Sequence, residues 1–390
     1  MIIGVPKESF PGERRVAIVP ASIPQLNKAK CEVVIEEGAG ISAGYTDAAY
    51  VEKGAKLLPT RAEIFATADV VIQVLCYGAN DQTGRDDLPL MRSGQVLVGF
   101  LRALGSPQTV AEIAAKNVTA FSVELMPRIT RSQNMDALSA MATVCGYKAV
   151  LLAADALPRF FPMLTTAAGT ITPARVLTLG AGVAGLQAIA TARRLGAVAS
   201  AYDVRPAVKE QIQSLGGRYV ELALETGQSQ DHRGYAKQQD ETFLQRQREL
   251  LTRVVAESDV VICTASVPGK RAPLLVTADM VKRMAPGSVI VDLASERGGN
   301  CELTQLNERI SAHGVTIFGY FNLASTVPYH ASQMYSRNLT AFLLHLVKDG
   351  QINIDVQDEI TRETLVTRNG AVVHRLLTPE QPQAAAPAAS

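Results

Sequence analysis

The chain has 390 residues, 47% of them apolar and 19% charged, with a formal net charge of +1. That length allows two or three domains, each with its own core. The near-neutral balance lacks the basic stripe that marks nucleic-acid binders, so no nucleic-acid partner is expected. No run of about 18 uninterrupted apolar residues occurs, so no bilayer-spanning helix is expected. The N-terminus, Met-Ile-Ile-Gly-Val, has no basic region before an apolar run, as a signal peptide would. Cys31, Cys76, Cys145, Cys263 and Cys301 are odd in number, scattered, and form no Cys-x-x-Cys pair. That pattern reads as the reduced thiols of a cytoplasmic protein.

Short β-branched runs alternate with helical patterns from the start. Strands are expected over residues 2–5, 32–35, 69–74, 95–100 and 118–123, with helices over 22–29, 61–66 and 109–116. A long helix-prone segment, 136–157, follows. A second series runs through strands 175–179, 197–202, 218–220, 259–263, 288–292 and 315–318. Its helices fall at 184–195, 208–215, 242–257 and 279–284, and a last long helix at 331–347 carries Leu339, Phe342, Leu343 and Leu346. Such alternation makes parallel sheets with crossover helices. The expected fold class is α/β, with two Rossmann-like doubly wound parallel-sheet domains and a cleft between them. The first domain is expected to be discontinuous, 1–136 and 328–378, and the second to be 137–327. Residues 379–390, built mostly of Pro, Ala and Gln, read as a disordered tail. Residues 226–239 break the rhythm. Polar and without apolar period, they read as an exposed insertion or a mobile lid.

The most informative segment is Gly180-Ala-Gly182-Val183-Ala-Gly185, which joins the 175–179 strand to an apolar helix. Gly180 permits the tight turn, Gly182 lets a pyrophosphate approach the backbone, and Gly185 lets helix and strand pack closely. The helix N-terminus, from Val183, offers unpaired N–H groups and partial positive charge to phosphate. Asp203 ends the next strand, where a carboxylate can accept the ribose hydroxyls and repel a 2′-phosphate. That favours NAD over NADP. Arg205 stands against it, since an arginine can accommodate the 2′-phosphate.

Further motifs extend this. Val5-Pro-Lys-Glu-Ser, Gly12-Glu-Arg-Arg-Val-Ala and Pro20 open the chain, and Met126-Pro-Arg-Ile-Thr-Arg-Ser-Gln-Asn-Met-Asp136 follows later. Gly234-Tyr-Ala-Lys237, Val267-Pro-Gly-Lys-Arg-Ala-Pro273 and Val291-Asp-Leu-Ala-Ser-Glu-Arg-Gly-Gly-Asn-Cys301 complete the set. Together these resemble the NAD(H)-binding component of proton-translocating NAD(P) transhydrogenases, a family related to alanine dehydrogenases. The resemblance covers about residues 1–378. It implies a homodimer in the separate-subunit form, peripheral at the inner face of the membrane. A membrane-spanning subunit moves protons, and NADP(H) is carried by a third, docking subunit. The reaction implied is AB-specific hydride transfer between the two nicotinamides.

By the same resemblance, Gln133 aligns the nicotinamide, with Arg128 and Asp136 in the same catalytic loop. An amide that donates and accepts suits that task. Arg128 either pairs with Asp136 or contacts a ribose or phosphate. The plainer alternative for both is an ion pair at a helix start. Tyr235 belongs to the closing loop. Ala265, Pro268 and Gly269 are expected along the adenosine or pyrophosphate, and Asn300 at a strand end near the ligand. The histidines and carboxylates show no metal-like spacing, and no metal is expected.

Hydride transfer between two nicotinamides needs alignment and water exclusion, not a proton donor. Amino-acid dehydrogenation needs a carboxylate clamp and proton-handling groups. The alanine dehydrogenases place a lysine and a histidine where this chain has Gln73 and the segment Val98-Gly-Phe-Leu-Arg-Ala103. Arg15 alone could hold a carboxylate, or make a structural salt bridge. Two segments depart from the family: Ala140-Met-Ala-Thr-Val144, and Phe321–Pro328 with Ala324 and Thr326 for the usual proline and arginine. The alternatives to a transhydrogenase subunit are an alanine-type dehydrogenase and a non-catalytic NAD-binding paralogue.

Overall fold

The structure is a computed structural model that describes residues 1–221, 241–267 and 269–378. The 226–239 segment with Tyr235, Pro268, and the 379–390 tail lie outside the described residues. The chain divides into two compact units, Met1–Ala140 with the chain from Pro328 onward, and Met141–Val327.

The first unit begins with strands β1 (Ile2–Val5), β2 (Glu32–Glu36), β3 (Lys56–Leu58), β4 (Val70–Leu75), β5 (Val96–Phe100) and β6 (Thr119–Ser122). Helices α1 (Ile23–Lys28), α2 (Asp47–Glu52), α3 (Arg61–Thr67) and α4 (Pro107–Ala115) connect them. Helix α5 (Ala137–Ala156) carries the chain into the second unit. There a short hairpin, β7 (Leu164–Thr166) and β8 (Gly169–Ile171), precedes β9 (Arg175–Leu179), α6 (Val183–Arg194), β10 (Val198–Tyr202), α7 (Lys209–Ser214) and β11 (Arg218–Tyr219). Helix α8 (Glu241–Ala256), β12 (Val260–Cys263), α9 (Ala278–Lys282), β13 (Val289–Asp292), β14 (Arg309–Ala312) and β15 (Val315–Phe318) follow. The chain returns to the first unit as α10 (Pro328–Leu346), β16 (Val347–Lys348), β17 (Gln351–Ile352), α11 (Glu359–Thr364), β18 (Leu365–Arg368) and β19 (Ala371–Val372).

The second unit's sheet has the order β11-β10-β9-β12-β13-β15-β14, parallel except for β14. Alternation of side chains across a strand sends residues to opposite faces. Val176, Val260, Ile262, Val289 and Val291 pack with Ala188, Ile189 and Ala192 of α6. Leu177, Leu179, Val261, Cys263 and Ile290 pack with Leu251 and Val255 of α8 and Met280 of α9. Every central strand is therefore apolar on both faces, which is why these strands read as continuous hydrophobic runs.

The first unit's sheet runs β19-β18-β6-β5-β4-β1-β2-β3. Strands β1 to β6 are parallel, and β18 joins β6 antiparallel. Both units thus have the doubly wound Rossmann-like order, extended by antiparallel edge strands. Helix α10 lies against the first unit's N-terminal segment: Ser332 and Ser336 accept from the N–H groups of Val16 and Val19, each at 3.0 Å, and Tyr335 donates to the Gln73 carbonyl at 2.8 Å.

Helix α5 bears on the expectation that no helix crosses a bilayer. It is long and apolar enough, by length and composition, to cross a bilayer. Its interruptions, Lys148 and Asp155 among them, do not lower its mean hydropathy below that mark. In the second unit Ala149, Val150 and Ala153 sit in the core beside Val176 and Ile189, as in the core helix of a globular unit.

Candidate functional site

In an open α/β sheet, ligands bind beyond the carboxyl ends of the strands where strand order reverses. In the second unit that point lies between β9 and β12. The Gly180–Gly185 turn leaves the end of β9, and Thr264 and Ala265 leave the end of β12. The two loops meet: Thr264 Oγ1 donates to the Gly180 carbonyl at 2.8 Å.

The three glycines have different physical jobs. Gly180 sits at φ +96°, a conformation that side chains rarely adopt. A Cβ on Gly185 would stand 1.9 Å from the Gly180 carbonyl oxygen, so only glycine lets α6 close onto its own turn. Gly182 has an ordinary negative φ, and a Cβ there would meet nothing within 4 Å. No packing among the described residues requires a glycine at 182; a molecule lying against the backbone would. Gly182 is also the N-cap of α6 and lends no side-chain cap, and Val183 at the first turn is exposed. The first-turn N–H groups of a helix lack intrahelical acceptors. The turn therefore fits a pyrophosphate.

Asp203, at the end of β10, is buried and braces this turn. Its Oδ2 accepts from Ala181 N at 2.7 Å, and its Oδ1 from Arg205 N at 2.9 Å. Arg205 adds Nε to Oδ1 at 2.9 Å and Nη2 to Oδ2 at 2.8 Å. Tyr219 OH donates to the Asp203 carbonyl at 3.0 Å.

On the other side, Asn300 is fully buried and its amide is spent inside the protein. It accepts from Ala265 N at 3.0 Å and donates to the carbonyls of Ala265 and Pro273, each at 2.8 Å. Asp292 holds this knot in turn, accepting from Asn300 N, Cys301 N, Ala294 N and the Thr304 hydroxyl. Burial raises the Asp292 carboxyl above its ordinary range, and these four donors work against that rise. Asn300 thus sets the path of the Ala265 loop from behind. Gly269 lies at φ +71°, just past Pro268.

Sequence reasoning missed Gly146 of α5. A Cβ there would stand 2.1 Å from the Ala184 carbonyl oxygen, so α5 and the first turn of α6 touch backbone to backbone. A glycine inside an apolar helix was the available signal, since its cost in helix stability implies a packing reason.

The 128–136 segment belongs to the first unit. Asp136 caps α5: its Oδ1 accepts from Ser139 N at 2.9 Å and its Oδ2 from the Ser139 hydroxyl at 2.5 Å. Gln133 and Arg128 are both exposed along the same loop. The loop is pinned at three places. The Ser132 hydroxyl donates to the Pro127 carbonyl, Asn338 of α10 donates to the Asn134 carbonyl at 2.8 Å, and Arg131 pairs with Asp358 at 3.0 Å.

At the first unit's own reversal point, between β1 and β4, the side chains bond to one another. Glu8 accepts from Val74 N at 2.6 Å and Leu75 N at 3.1 Å. Burial, helped by Glu13, pushes the Glu8 carboxyl up to about 8. Gln73 donates to Asp87 at 3.1 Å, and Asp87 is also paired with Arg61 at 2.5 Å. Arg15, buried, is held by Glu13 in a two-pronged pair at 2.8 and 2.5 Å. Among the described residues no group of three or more His, Cys, Asp or Glu gathers as a metal set.

A doubly wound sheet with a glycine turn at its reversal point defines the Rossmann class of dinucleotide oxidoreductases. Within it, residues 4–145 match the N-terminal domain, and residues 149–375 the C-terminal domain, of the alanine dehydrogenase/PNT family, and the chain belongs to that family. It is 45% identical, over 97% of its length and 99% of the relative's, to a Rhodospirillum rubrum protein named as the first portion of NAD(P) transhydrogenase subunit alpha. That relative's name marks it as one piece of a multi-subunit assembly. The structure is similar to a transhydrogenase from Sinorhizobium meliloti, with TM-score 0.83 and 40% identity, over 96% of this chain and 99% of that one. It is also similar to an L-alanine dehydrogenase, with TM-score 0.80 and 26% identity, over 97% and 98%.

Proposed function

We propose that this chain is the NAD(H)-binding component of a proton-translocating transhydrogenase. The observation that carries this reading is the division between the two reversal points. The second unit's is open at Gly182, where a dinucleotide backbone fits. The first unit's carries buried ion pairs and Gln73, where an amino-acid dehydrogenase needs a proton-handling lysine.

NAD(H), when bound, supplies or accepts the hydride. The chain's residues do the rest. The Gly180–Gly185 turn and the first turn of α6 hold the pyrophosphate, and Asp203 takes the adenosine ribose. Ala265, Pro268 and Gly269 border the adenosine side, with Asn300 fixing Ala265. Tyr235 serves in closure. Gln133 orients the nicotinamide carboxamide, with Arg128 beside it, and Asp136 sets where that loop ends and α5 begins. Alignment of this kind converts an encounter into a near-unimolecular step. NADP(H) is carried by a separate docking subunit, and a membrane-spanning subunit couples the exchange to proton movement. The chain works as a homodimer at the inner face of the membrane, in AB-specific exchange.

The test is comparative. The purified chain, mixed with an NADP(H)-binding subunit, should exchange hydride with an NADH analogue and show no turnover of alanine with NAD. Alanine turnover without exchange would overturn the reading, and NADH binding with neither activity would favour a non-catalytic relative.

A further inference from the structure

We infer that Arg205 is a specificity residue for the nucleotide: its guanidinium occupies the positions on Asp203 that a ribose diol needs, and NAD(H) must displace it. This deepens, and rests on, the reading of the second unit as an NAD(H) site.

Counting lone pairs leads there. An ionised carboxylate offers about four acceptor positions. Asp203 meets four donors among the described residues. Ala181 N and Arg205 Nη2 lie on Oδ2 at 2.7 and 2.8 Å, and Arg205 N and Nε lie on Oδ1, both at 2.9 Å. Two of these donors are backbone amides, one in the glycine turn and one two residues past Asp203. The other two belong to one side chain that can swing away. When it does, each oxygen keeps one backbone donor and gains one vacancy. A 2′,3′-diol has one hydroxyl for each.

The pair is not a solvated surface contact. Arg205 and Asp203 side chains are 16% and 6% exposed, so solvent screens their attraction only in part. Displacing the guanidinium therefore subtracts from NADH affinity. The displaced group stays beside the ribose, where a 2′-phosphate would meet it as a charge-assisted donor. Arg205 thus opposes NADH and assists NADPH, so discrimination is narrower than Asp203 alone would set.

Fluorescence titration of the full chain with NADH and, separately, NADPH tests this. Arg205→Gln keeps the backbone N–H on Asp203 and should bind NADH about fivefold tighter, the scale of one partly screened ion pair, while binding NADPH more weakly than wild type. Asp203→Asn should shift preference towards NADPH, because the repelling charge is gone and Arg205 remains. Arg205→Lys, which keeps charge without the two-pronged grip, should fall between wild type and Arg205→Gln for NADH. Unchanged or weaker NADH binding by a folded Arg205→Gln, with wild type binding NADH, would overturn the inference alone. Failure of wild type to bind either nucleotide would overturn the underlying site reading as well.

Discussion

Arg131 Nη2 lies 3.0 Å from Asp358 Oδ1 and ties the loop that carries Gln133 to the start of α11. Asp358 is crowded with donors. It caps α11 through Thr361 N at 2.9 Å and accepts from His345 Nε2 at 2.9 Å. Burial would raise its carboxyl, but the Thr361, His345 and Arg131 bonds outweigh that and hold it well below its ordinary value of 3.8. Because Arg131 is exposed, the pair contributes under about 1 kcal/mol. Its consequence is positional. Arg131→Gln should leave the melting temperature within a few degrees and slow hydride exchange about tenfold through misplacement of the loop. Equal rates for mutant and wild type would remove the tether from the account.

The same carboxyl sets an acid limit. Its folded pKa is lowered, so its contribution to stability is present above 3.8 and lost as pH falls through the folded value. Denaturant unfolding of Asp358→Asn and wild type should differ at pH 7 and converge in strong acid.

Glu8 works in the opposite direction. Its carboxyl is raised from 4.5 to about 8, so the folded protein favours the neutral form. That contribution is full below 4.5 and is lost as pH rises through about 8. Relative to wild type, Glu8→Gln should gain stability at pH 8.5 compared with pH 5. Parallel stability curves for the two proteins would contradict the placement of this group.

Two glycines three residues apart should fail in different ways. Gly185→Ala drives a Cβ into the Gly180 carbonyl and should cost about 3 kcal/mol or more of stability. Gly182→Ala meets no protein atom and should change stability by less than about 0.5 kcal/mol. If the proposed pyrophosphate site is right, it should still weaken NADH about tenfold, because the methyl group would stand in the path of the pyrophosphate. Thermal melts paired with NADH titrations separate the two.

Much of this is legible in the sequence, for a physical reason. The strand runs and the Gly180–Gly185 turn are local, and their period and spacing encode burial on two faces. The antiparallel strands β14, β18 and β19 escape such a reading, since short antiparallel additions carry little period of their own. Gly146 escapes it because its requirement comes from Ala184, far along the chain. Asn300 is expected near the ligand, yet its amide is fully engaged by Ala265 and Pro273; sequence carries a residue's chemistry but not which partners exhaust it. Asp136 stands open, in the sequence, between a cap and a site role. Its bonds to Ser139 establish the cap.

The proposed alignment by Gln133 has its own signature. Gln133→Asn should slow hydride exchange while leaving NADH affinity within about 1 kcal/mol, the scale of one hydrogen bond. An affinity loss with an unchanged rate would assign it to binding alone.

The most direct measurement follows the hydrogen itself. NADH deuterated at the transferring position of C4 is mixed with this chain and an NADP(H)-binding subunit carrying NADP+. Direct transfer between aligned nicotinamides predicts that the deuterium appears in NADPH without dilution by solvent. Label lost to water, or no NADPH formed, would contradict the account.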